Sequence, residues 1–379
     1  MERLAYDVAV AGLGGMGSAA LAHCAARGVR VIGIEQFDPA HALGASSGKT
    51  RIIRQAYFED PAYVPMLLRA YELWRQLEER SGEELMRLTG LLMAGTQNSE
   101  IVSGSVRAAR LHDLPVEHLT ASDMRRRYPG LRVADEEVGV FESNAGAVFP
   151  EKTIRAHLGI AQELGAHMRF RTSVLRWHSE PDGVTLELSD ASVVRARSLI
   201  VTLGPWFGEV MRAAGAQLEV QRNVQVWFTP KTAAYAADRF PAFLIERESL
   251  PAPLYGFPDF GDGVKAAFHG GGAPAEPAQL DREINPQRDV EPVARALENW
   301  MPGAAATFRA GKACMYALTP DQHFVIDRDL RDERVVLCGG FSGHGFKFAP
   351  VVGEIASQLA LDGGAALDID FLSLRRFVK

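Results

Sequence analysis

The sequence predicts an α/β protein in which one discontinuous domain is built on a parallel sheet and a β-rich α+β domain is inserted into it. Two observations support this. A strand, a glycine turn, a helix and a second strand open the chain, and a further strand, glycine loop and helix close it. Strand-like segments dominate the two regions between these nucleotide-type units. The first domain is predicted to comprise 1–85, 150–217 and 321–379, and the second 86–149 and 218–320.

The composition is that of an ordinary globular protein. The 379 residues are 47% hydrophobic and 23% charged, the formal net charge is −6, and no block of lysine and arginine stands alone. This argues against nucleic acid or an anionic membrane as the main partner. Because no signal peptide or membrane-length apolar run is found, a cytoplasmic protein is expected. The three cysteines are too scattered for a disulfide framework, and no metal site is predicted.

Three glycines after the first strand form a G-x-G-x-x-G pattern, at Gly12, Gly14 and Gly17. The first permits a tight turn, the second lets the backbone approach a pyrophosphate, and the third lets helix and strand pack closely. An alanine-rich helix is predicted over 18–27, and its N-terminus offers free N–H donors to phosphates. The pattern therefore predicts a Rossmann-type dinucleotide site at the start of the chain.

An acidic residue, Glu35, stands at the end of the second predicted strand, 29–35. A carboxylate at this distance from the glycines can accept hydrogen bonds from ribose hydroxyls. Gln36 rather than an arginine follows it, which weakens the case for NADP. The fingerprint does not separate FAD from NAD, because both contain an ADP half, so both cofactors stay open at this point.

Six separated stretches together resemble one family, the monomeric sarcosine oxidases and N-methyltryptophan oxidases, which are FAD-dependent amine oxidases. The stretches are GLGGMGSAA, GKTRIIRQAY, YVPMLLRA, YGFP followed by GVKAAFH, KACMYALTPDQHFVID, and GFSGHGFKFAPVVGEIA. They follow the family's order from the first strand to the last helix. The resemblance implies a Rossmann-type FAD-binding domain with an inserted substrate domain, a monomer, and a small amino acid and O2 as reactants.

The resemblance also implies a covalent cofactor. In the family, the cysteine of the CMY stretch forms a thioether with the 8α-methyl of the flavin, and that position here is Cys314. The residue lies between a lysine and a tyrosine, outside any obvious helix or buried strand. Composition alone would favour a buried structural thiol. A thiol reacts as its thiolate, so a cation such as Arg51 is expected to promote the attachment.

The reaction implied by the resemblance is the oxidation of a secondary amine. A hydride passes from the carbon beside nitrogen to the flavin, the imine hydrolyses, and O2 is reduced to H2O2, with formaldehyde released from N-methyl substrates. Sarcosine, another N-methyl amino acid, a cyclic imino acid or a glycated amino acid would fit. The alternatives are an NAD-dependent dehydrogenase and a flavin-binding protein without oxidase turnover.

Five residues match family positions at the reaction site. Arg54 and Lys347 match the pair that holds the substrate carboxylate, and the planar fork of an arginine suits bidentate binding. Lys265 matches the lysine at which oxygen is reduced, where a fixed cation would stabilise negative charge. His269 and Tyr255 match residues that line the amine pocket. Without the resemblance, Lys265 would be interpreted as a strand-edge lysine and Arg54 as part of a surface ion pair.

The remaining predicted contacts lie in the last third of the chain. Tyr316 follows the flavin cysteine by two residues and is expected to close the amine pocket. The glycine loop 339–345, including Gly343, is expected to lie against the pyrimidine end of the flavin, with Lys347 just after it. Backbone N–H groups and the following helix N-terminus would stabilise negative charge on the reduced ring.

One stretch departs from the family pattern. The family often has two histidines and an acid before the arginine motif, whereas this chain has Ser46, Ser47 and Lys49. Arg51 is kept. Because flavin attachment and redox tuning both depend on charge near the ring, the departure is expected to affect both.

Overall fold

A computed structural model describes residues 5–378. Within that range the chain forms twenty β-strands and eight α-helices. The strands are β1 (Tyr6–Ala11), β2 (Val31–Ile34), β3 (Arg51–Ile53), β4 (Met86–Arg87), β5 (Leu91–Thr96), β6 (Glu117–Thr120), β7 (Glu137–Glu142), β8 (Gly146–Val148), β9 (His167–Arg169), β10 (Val174–Glu180), β11 (Gly183–Leu188), β12 (Val193–Val201), β13 (Glu219–Thr229), β14 (Ala242–Ile245), β15 (Leu254–Phe257), β16 (Val264–Phe268), β17 (Ala273–Pro274), β18 (Thr307–Leu318), β19 (Val325–Asp329) and β20 (Asp332–Gly339). The helices are α1 (Gly15–Ala26), α2 (Val64–Ser81), α3 (Glu100–Leu111), α4 (Ala121–Arg127), α5 (Pro150–Glu163), α6 (Gly208–Ala213), α7 (Glu291–Trp300) and α8 (Ala349–Asp362).

The first sheet has eight strands, with the path β10-β11-β12-β1-β2-β9 and with β20 and β19 added beside β12. Strand β1 runs parallel to β2 and β12, and β12 runs parallel to β20. The antiparallel strands β10 to β12 form a meander whose last strand joins the parallel part of the sheet. Helix α1 packs against α5 and α8. This confirms the predicted α/β class with a Rossmann-type core.

Helix α1 begins three residues earlier than predicted, at Gly15. Of the three fingerprint glycines, Gly12 has a positive φ, of 86°. Gly17 lies inside the helix instead, where a Cβ would come within 1.8 Å of the Gly12 carbonyl oxygen. Gly17 therefore allows the close approach of the helix to the chain at the end of β1, as the glycine pattern led us to expect.

The second sheet has nine strands, with the path β17-β13-β16-β15-β14-β5-β7-β6 and with β18 beside β13. Strands β13, β15 and β16 lie within 218–320, a region that the sequence predicted to be rich in strands. A core that includes Phe243 and Trp300 packs on this sheet. All strands of the second sheet fall within 86–149 and 218–320, and all strands of the first sheet fall outside these ranges. The division into two domains stays a prediction.

A third, small sheet joins parts of the chain from both predicted domains, in the order β3-β8-β4. Strand β3 begins at Arg51 and ends just before Arg54, so this sheet positions the arginine motif. Helix α2 follows and ends, as predicted, at Gly82, whose φ of 69° is left-handed. Across residues 5–378, no helix is both long enough and apolar enough to span a bilayer.

Candidate functional site

A cavity of about 420 Å³ is lined by both the glycine fingerprint and the C-terminal glycine loop. Most of the predicted site residues line it. They are Gly12, Gly14, Glu35, Arg51, Arg54, Tyr255, His269, Tyr316, Gly343 and Lys347. Three predicted residues do not: Gly17 lies inside α1, Cys314 lies behind the wall, and Lys265 lines a second cavity. The fold therefore brings together residues that are up to about 330 positions apart in the chain.

The fingerprint end of the cavity is shaped by backbone donors and one carboxylate. Glu35 accepts hydrogen bonds from the N–H groups of Leu13, at 2.7 Å, and Phe37, at 3.0 Å. The N–H of Gly15, in the first turn of α1, donates to the hydroxyl of Ser46 at 3.3 Å. Ser46, one of the departures from the family pattern, therefore lies at the helix N-terminus, where a pyrophosphate would be held.

The C-terminal glycine loop packs directly on the pocket aromatics. Gly343 has a φ of 80°, and a Cβ there would come within 2.4 Å of the Tyr316 ring. Burial raises the pKa of Tyr316 well above its usual value and also raises that of Tyr255. Both phenols therefore stay protonated at neutral pH and can serve as hydrogen-bond donors. Tyr316 accepts or donates a hydrogen bond at 3.3 Å with Nδ1 of His269.

Cys314 lies in β18, opposite Asn223 of β13, and is 1% exposed. The expectation that it lies outside a buried strand was wrong. The first residues of β18 are exposed, whereas Cys314, later in the strand, contacts the segment 45–51 through the Ala45 carbonyl. The local sequence does not show this long-range contact. The thiol donates to the Ala45 carbonyl at 3.6 Å and accepts from Arg51 Nη2 at 3.5 Å. Ala45 and Arg51 both line the cavity, so Sγ lies directly behind its wall.

Arg54 is buried, with 3% of its side chain exposed, and lines the cavity together with Phe58 and Glu59. Its Nη2 donates to both carboxylate oxygens of Glu59 at 2.6 Å, and its Nη1 donates to the Ala56 carbonyl at 3.0 Å. The surface interpretation of Arg54 was wrong, although the ion pair itself is present. Burial alone would raise the pKa of Glu59, but the charge and hydrogen bond of Arg54, together with His344 and Lys347, lower it to about 2.

Lys347 is buried beside Arg54 and contacts the same aromatic ring. Its Nζ lies 5.1 Å from the centre of the Tyr57 ring, and the Arg54 guanidinium lies 4.3 Å from it. Nζ donates to the His344 carbonyl at 2.5 Å. Burial, together with the Arg54 charge, lowers the pKa of Lys347 to about 7. The structure thus brings the two predicted carboxylate-binding cations together in the wall of the cavity.

Histidines near these two cations stay neutral. Burial lowers the pKa of His269 to about 4 and that of His344 to about 3. His344 is hydrogen-bonded through Nδ1 to the Tyr57 hydroxyl and through Nε2 to the Gln322 carbonyl. The positive charge beside Tyr57 is therefore that of Arg54 and, below about pH 7, also that of Lys347.

Lys265 is 2% exposed on β16, which lies inside the second sheet between β13 and β15. The strand-edge interpretation was therefore wrong. Its Nζ donates to the carbonyls of Gly48 and Thr50, at 2.7 and 2.8 Å, and to the Thr50 hydroxyl at 3.1 Å. Burial lowers the pKa of Lys265 well below 10.5. Three oxygen acceptors nevertheless match the three N–H bonds of the ammonium form, and a neutral amine would satisfy only two of them.

Sequence reasoning missed two carboxylates that shape the site. Glu59 occupies the Arg54 fork, and Glu142 accepts from the N–H groups of Gln55 and Ala56 at 2.7 and 3.0 Å, which fixes the turn after Arg54. Glu59 had a local signal, because it lies five residues after Arg54. The role of Glu142 depends on a contact between residues 87 positions apart, for which the sequence gives no local sign.

The fold and the cavity define a dinucleotide-dependent oxidoreductase, and the comparisons decide which kind. The profile of the FAD dependent oxidoreductase family, DAO, matches residues 7–359. The chain therefore belongs to this family, and within it to the group of monomeric sarcosine oxidases and N-methyl-L-tryptophan oxidases. The predicted family and class of enzyme are confirmed, and of the two cofactors left open by the fingerprint, the family uses FAD.

The relatives match over almost their full length. A monomeric sarcosine oxidase from Streptomyces avermitilis is 41% identical, covering 98% of this chain and 97% of that protein. An N-methyl-L-tryptophan oxidase from Yersinia pseudotuberculosis is 35% identical, covering 98% and 99%. Among solved structures, NikD, an unusual amino acid oxidase essential for nikkomycin biosynthesis, has a TM-score of 0.85 at 24% identity, covering 98% of both chains. At that identity the likeness shows the fold.

The described residues fit FAD. The N-terminus of α1 presents backbone N–H groups to the cavity, Glu35 follows the C-terminal end of β2, where a ribose would be held, and the C-terminal glycine loop lines the same cavity. A side chain at Gly12 would collide with the Thr202 carbonyl oxygen at 2.5 Å, so the turn depends on glycine.

Proposed function

We propose that this protein oxidises a secondary amino acid, with sarcosine or another N-methyl amino acid as the substrate, using FAD joined covalently to Cys314. The observation that supports this most directly is the pair of buried cations, Arg54 and Lys347, in the wall of the cavity that the dinucleotide fingerprint also lines. A carboxylate is the group that such a pair binds best. The names of the near-full-length relatives support the same substrate class.

The chain's own residues would hold and orient the amino acid. Arg54 and Lys347 would bind its carboxylate, which places the amine and its α-carbon toward His269, Tyr255 and Tyr316 along the same cavity. When bound, FAD would supply the electron sink for the oxidation of the carbon–nitrogen bond and a route for the two electrons to O2. The neutral His269 and the phenols let a neutral amine persist, because they add no negative charge that would stabilise the ammonium.

Glu59 would have to leave the Arg54 fork before a substrate carboxylate could enter it. The two carboxylates compete for the same donors, since Nη2 of Arg54 contacts both oxygens of Glu59 at 2.6 Å. Exchanging one carboxylate for another preserves the number of charge-assisted hydrogen bonds to Arg54. Glu59 thus accepts the hydrogen bonds of Arg54 until the carboxylate of a substrate takes its place.

The experiment that tests the function is anaerobic mixing of the purified flavoprotein with a panel of amino acids, followed by air. Sarcosine and other N-methyl amino acids should bleach the visible flavin absorbance, and air should restore it with release of peroxide. Cyclic imino acids and glycated amino acids are the comparison compounds. Bleaching by none of these secondary amines, while light or dithionite still reduces the flavin, would refute the substrate class.

Replacing Arg54 by methionine should raise the Kd of an N-methyl amino acid by about 10–100-fold, the cost of a lost hydrogen bond between charged groups. The measurement is titration of the flavin spectrum with substrate under anaerobic conditions. Arg54→Lys should recover part of the affinity, and Glu59→Gln should tighten binding, because a competing carboxylate is removed. Arg69→Met, which removes a half-exposed ion pair with Glu354, is the control. Unchanged affinity in Arg54→Met would contradict the proposed role.

Carboxylate binding should weaken as pH rises through about 7. The pKa of Lys347 is lowered to about 7, so its ammonium form prevails below that pH and is lost above it. His269, with a pKa of about 4, stays neutral throughout this range and adds no titration. Propionate, which has no amine of its own to titrate, is a suitable probe, and its Kd can be followed in the flavin spectrum.

The matched variant for this pH dependence is Lys347→Arg, whose side chain keeps its charge. From about pH 6 to about pH 9 the Kd of propionate should rise roughly tenfold in the unmodified protein and stay level in the variant. If the Kd of propionate in the unmodified protein does not change over this pH range, Lys347 does not bind the carboxylate as an ammonium.

A further inference from the structure

A second cavity, of about 350 Å³, is lined by Lys265 and shares no lining residue with the first cavity. Much of its wall is aromatic, formed by Phe149, Trp227, Phe257 and Phe260. The Nζ atom of Lys265 lies 5.2 Å from the Trp227 ring and 5.1 Å from the Phe257 ring. The cavity therefore leads along aromatic surface to a buried cation.

A single peptide group separates the two cavities near the site of flavin attachment. The Thr50 carbonyl accepts hydrogen bonds from Lys265 Nζ, on the side of the second cavity, and from Arg51 Nη1, which lines the first, both at 2.8 Å. Nη2 of Arg51 in turn lies 3.5 Å from Cys314 Sγ. The second cavity thus ends two hydrogen bonds away from the guanidinium that contacts the flavin cysteine.

The charged groups around the second cavity are paired with other groups. Lys49 Nζ lies 2.9 Å from Asp262, and Arg87 pairs with Glu84. The other charged lining groups also have partners: Glu151 accepts from the Gly48 N–H, and Lys152 lies 3.9 Å from Glu83. The cavity lacks the buried pair of cations that the first cavity offers to a carboxylate. An aromatic passage with a neutralised rim suits a small, uncharged, apolar molecule better than an amino acid.

We propose that the second cavity is the access path of dioxygen to Lys265, separate from the path of the amino acid. The inference rests on the proposed function, in which O2 takes up the two electrons removed from the amine, together with two protons, and leaves as H2O2. O2 is small and apolar, so it partitions onto aromatic surface, and the Lys265 charge at the inner end stabilises the negative charge that it acquires. A separate path lets O2 arrive while the amino acid or its product still fills the first cavity.

The test uses variants of the flavoprotein in which a bulky side chain narrows the second cavity. The two substitutions lie in different parts of the fold. Lys152→Trp, in the first turn of α5, and Asp262→Trp, in the turn before β16, each place a large ring at the rim. Arg155→Trp, one turn further along α5 and outside the cavity lining, is the matched control. The flavin is reduced anaerobically by light with oxalate as the electron donor, without any amine, and then mixed with oxygenated buffer. Both rim variants should reoxidise at least about fivefold more slowly, whereas Arg155→Trp should not change.

A second readout does not depend on turnover. Crystals of the flavoprotein under xenon pressure should show xenon between the aromatic side chains of the second cavity, because xenon is an apolar gas that occupies such surfaces. The site should be lost in Asp262→Trp. Wild-type reoxidation rates in both rim variants, or xenon confined to the first cavity, would overturn the proposal. If light-reduced protein reoxidises as expected but no secondary amine reduces it, the proposed substrate class fails and the access path stands.

Discussion

The Cys314→Ser variant should release all of its flavin into the supernatant when the protein is precipitated with acid, whereas the unmodified protein should give a yellow pellet. A serine hydroxyl is far less acidic than a thiol and does not form the thioether at neutral pH. The geometry supports attachment at this position, since Sγ lies behind the cavity wall with the Arg51 guanidinium 3.5 Å away. Intact-protein mass spectrometry should show the added mass of FAD in the unmodified chain and the bare chain in the variant.

The control for this experiment is a second cysteine that is equally buried. Cys24 lies among alanines on α1, and burial raises its pKa to about 12, so it remains an unreactive thiol. Cys24→Ala should keep its flavin in the pellet. Yellow pellets from both variants, or a colourless pellet from the unmodified protein, would show that the cofactor is not joined to Cys314.

The sequence predicts those parts of the site that depend on local pattern. The glycine fingerprint with its flanking strands, the acid at Glu35 and the C-terminal glycine loop are each recognisable within about 30 residues, because a Rossmann unit is a local structure. In the structure, Gly12, Gly14, Glu35 and Gly343 line one cavity. The roles of the individual residues in binding and reaction stay predictions.

What the sequence does not predict depends on contacts between distant segments. The burial of Cys314 comes from the segment 45–51 lying over β18, and the turn after Arg54 is fixed by Glu142. The occupation of the Arg54 fork by Glu59 is also absent from the sequence pattern, since it depends on how the chain curves after β3. Single-sequence reasoning has no access to such tertiary contacts.

The departure from the family pattern can now be given a physical interpretation. Lys49, in place of the usual acid, is neutralised at the surface by Asp262 at 2.9 Å, so it adds little net charge near the ring. Ser46 accepts from the N–H of Gly15 at the start of α1. The Ser47 hydroxyl is buried, and among residues 5–378 it has no hydrogen-bond partner. The serines therefore change the local hydrogen bonding more than the net charge, because histidine is mostly neutral at pH 7 as well.

Replacing Lys265 by methionine should slow the reoxidation of the reduced flavin by O2 about 10²–10³-fold, the range observed when one preorganised charge-stabilising donor is removed. The reduction of the flavin by an N-methyl amino acid should change little, because Arg54 and Lys347 lie in the other cavity. The two half-reactions are measured separately by anaerobic mixing with substrate and by mixing the photoreduced protein with oxygenated buffer.

The substitution also has a structural cost, which the experiment must separate from the chemical one. Methionine would leave the Gly48 carbonyl, the Thr50 carbonyl and the Thr50 hydroxyl without their donor, which costs about 1–3 kcal/mol of stability per buried group. Lys265→Arg keeps a cation and donors in the same place and should retain much of the O2 reactivity. Lys312→Met removes a nearby half-buried cation that lies 4.0 Å from Glu151 and serves as the control for charge alone. A folded Lys265→Met flavoprotein that reoxidises at the wild-type rate would show that this ammonium does not act on oxygen, and the aromatic cavity that ends at it would then need another explanation.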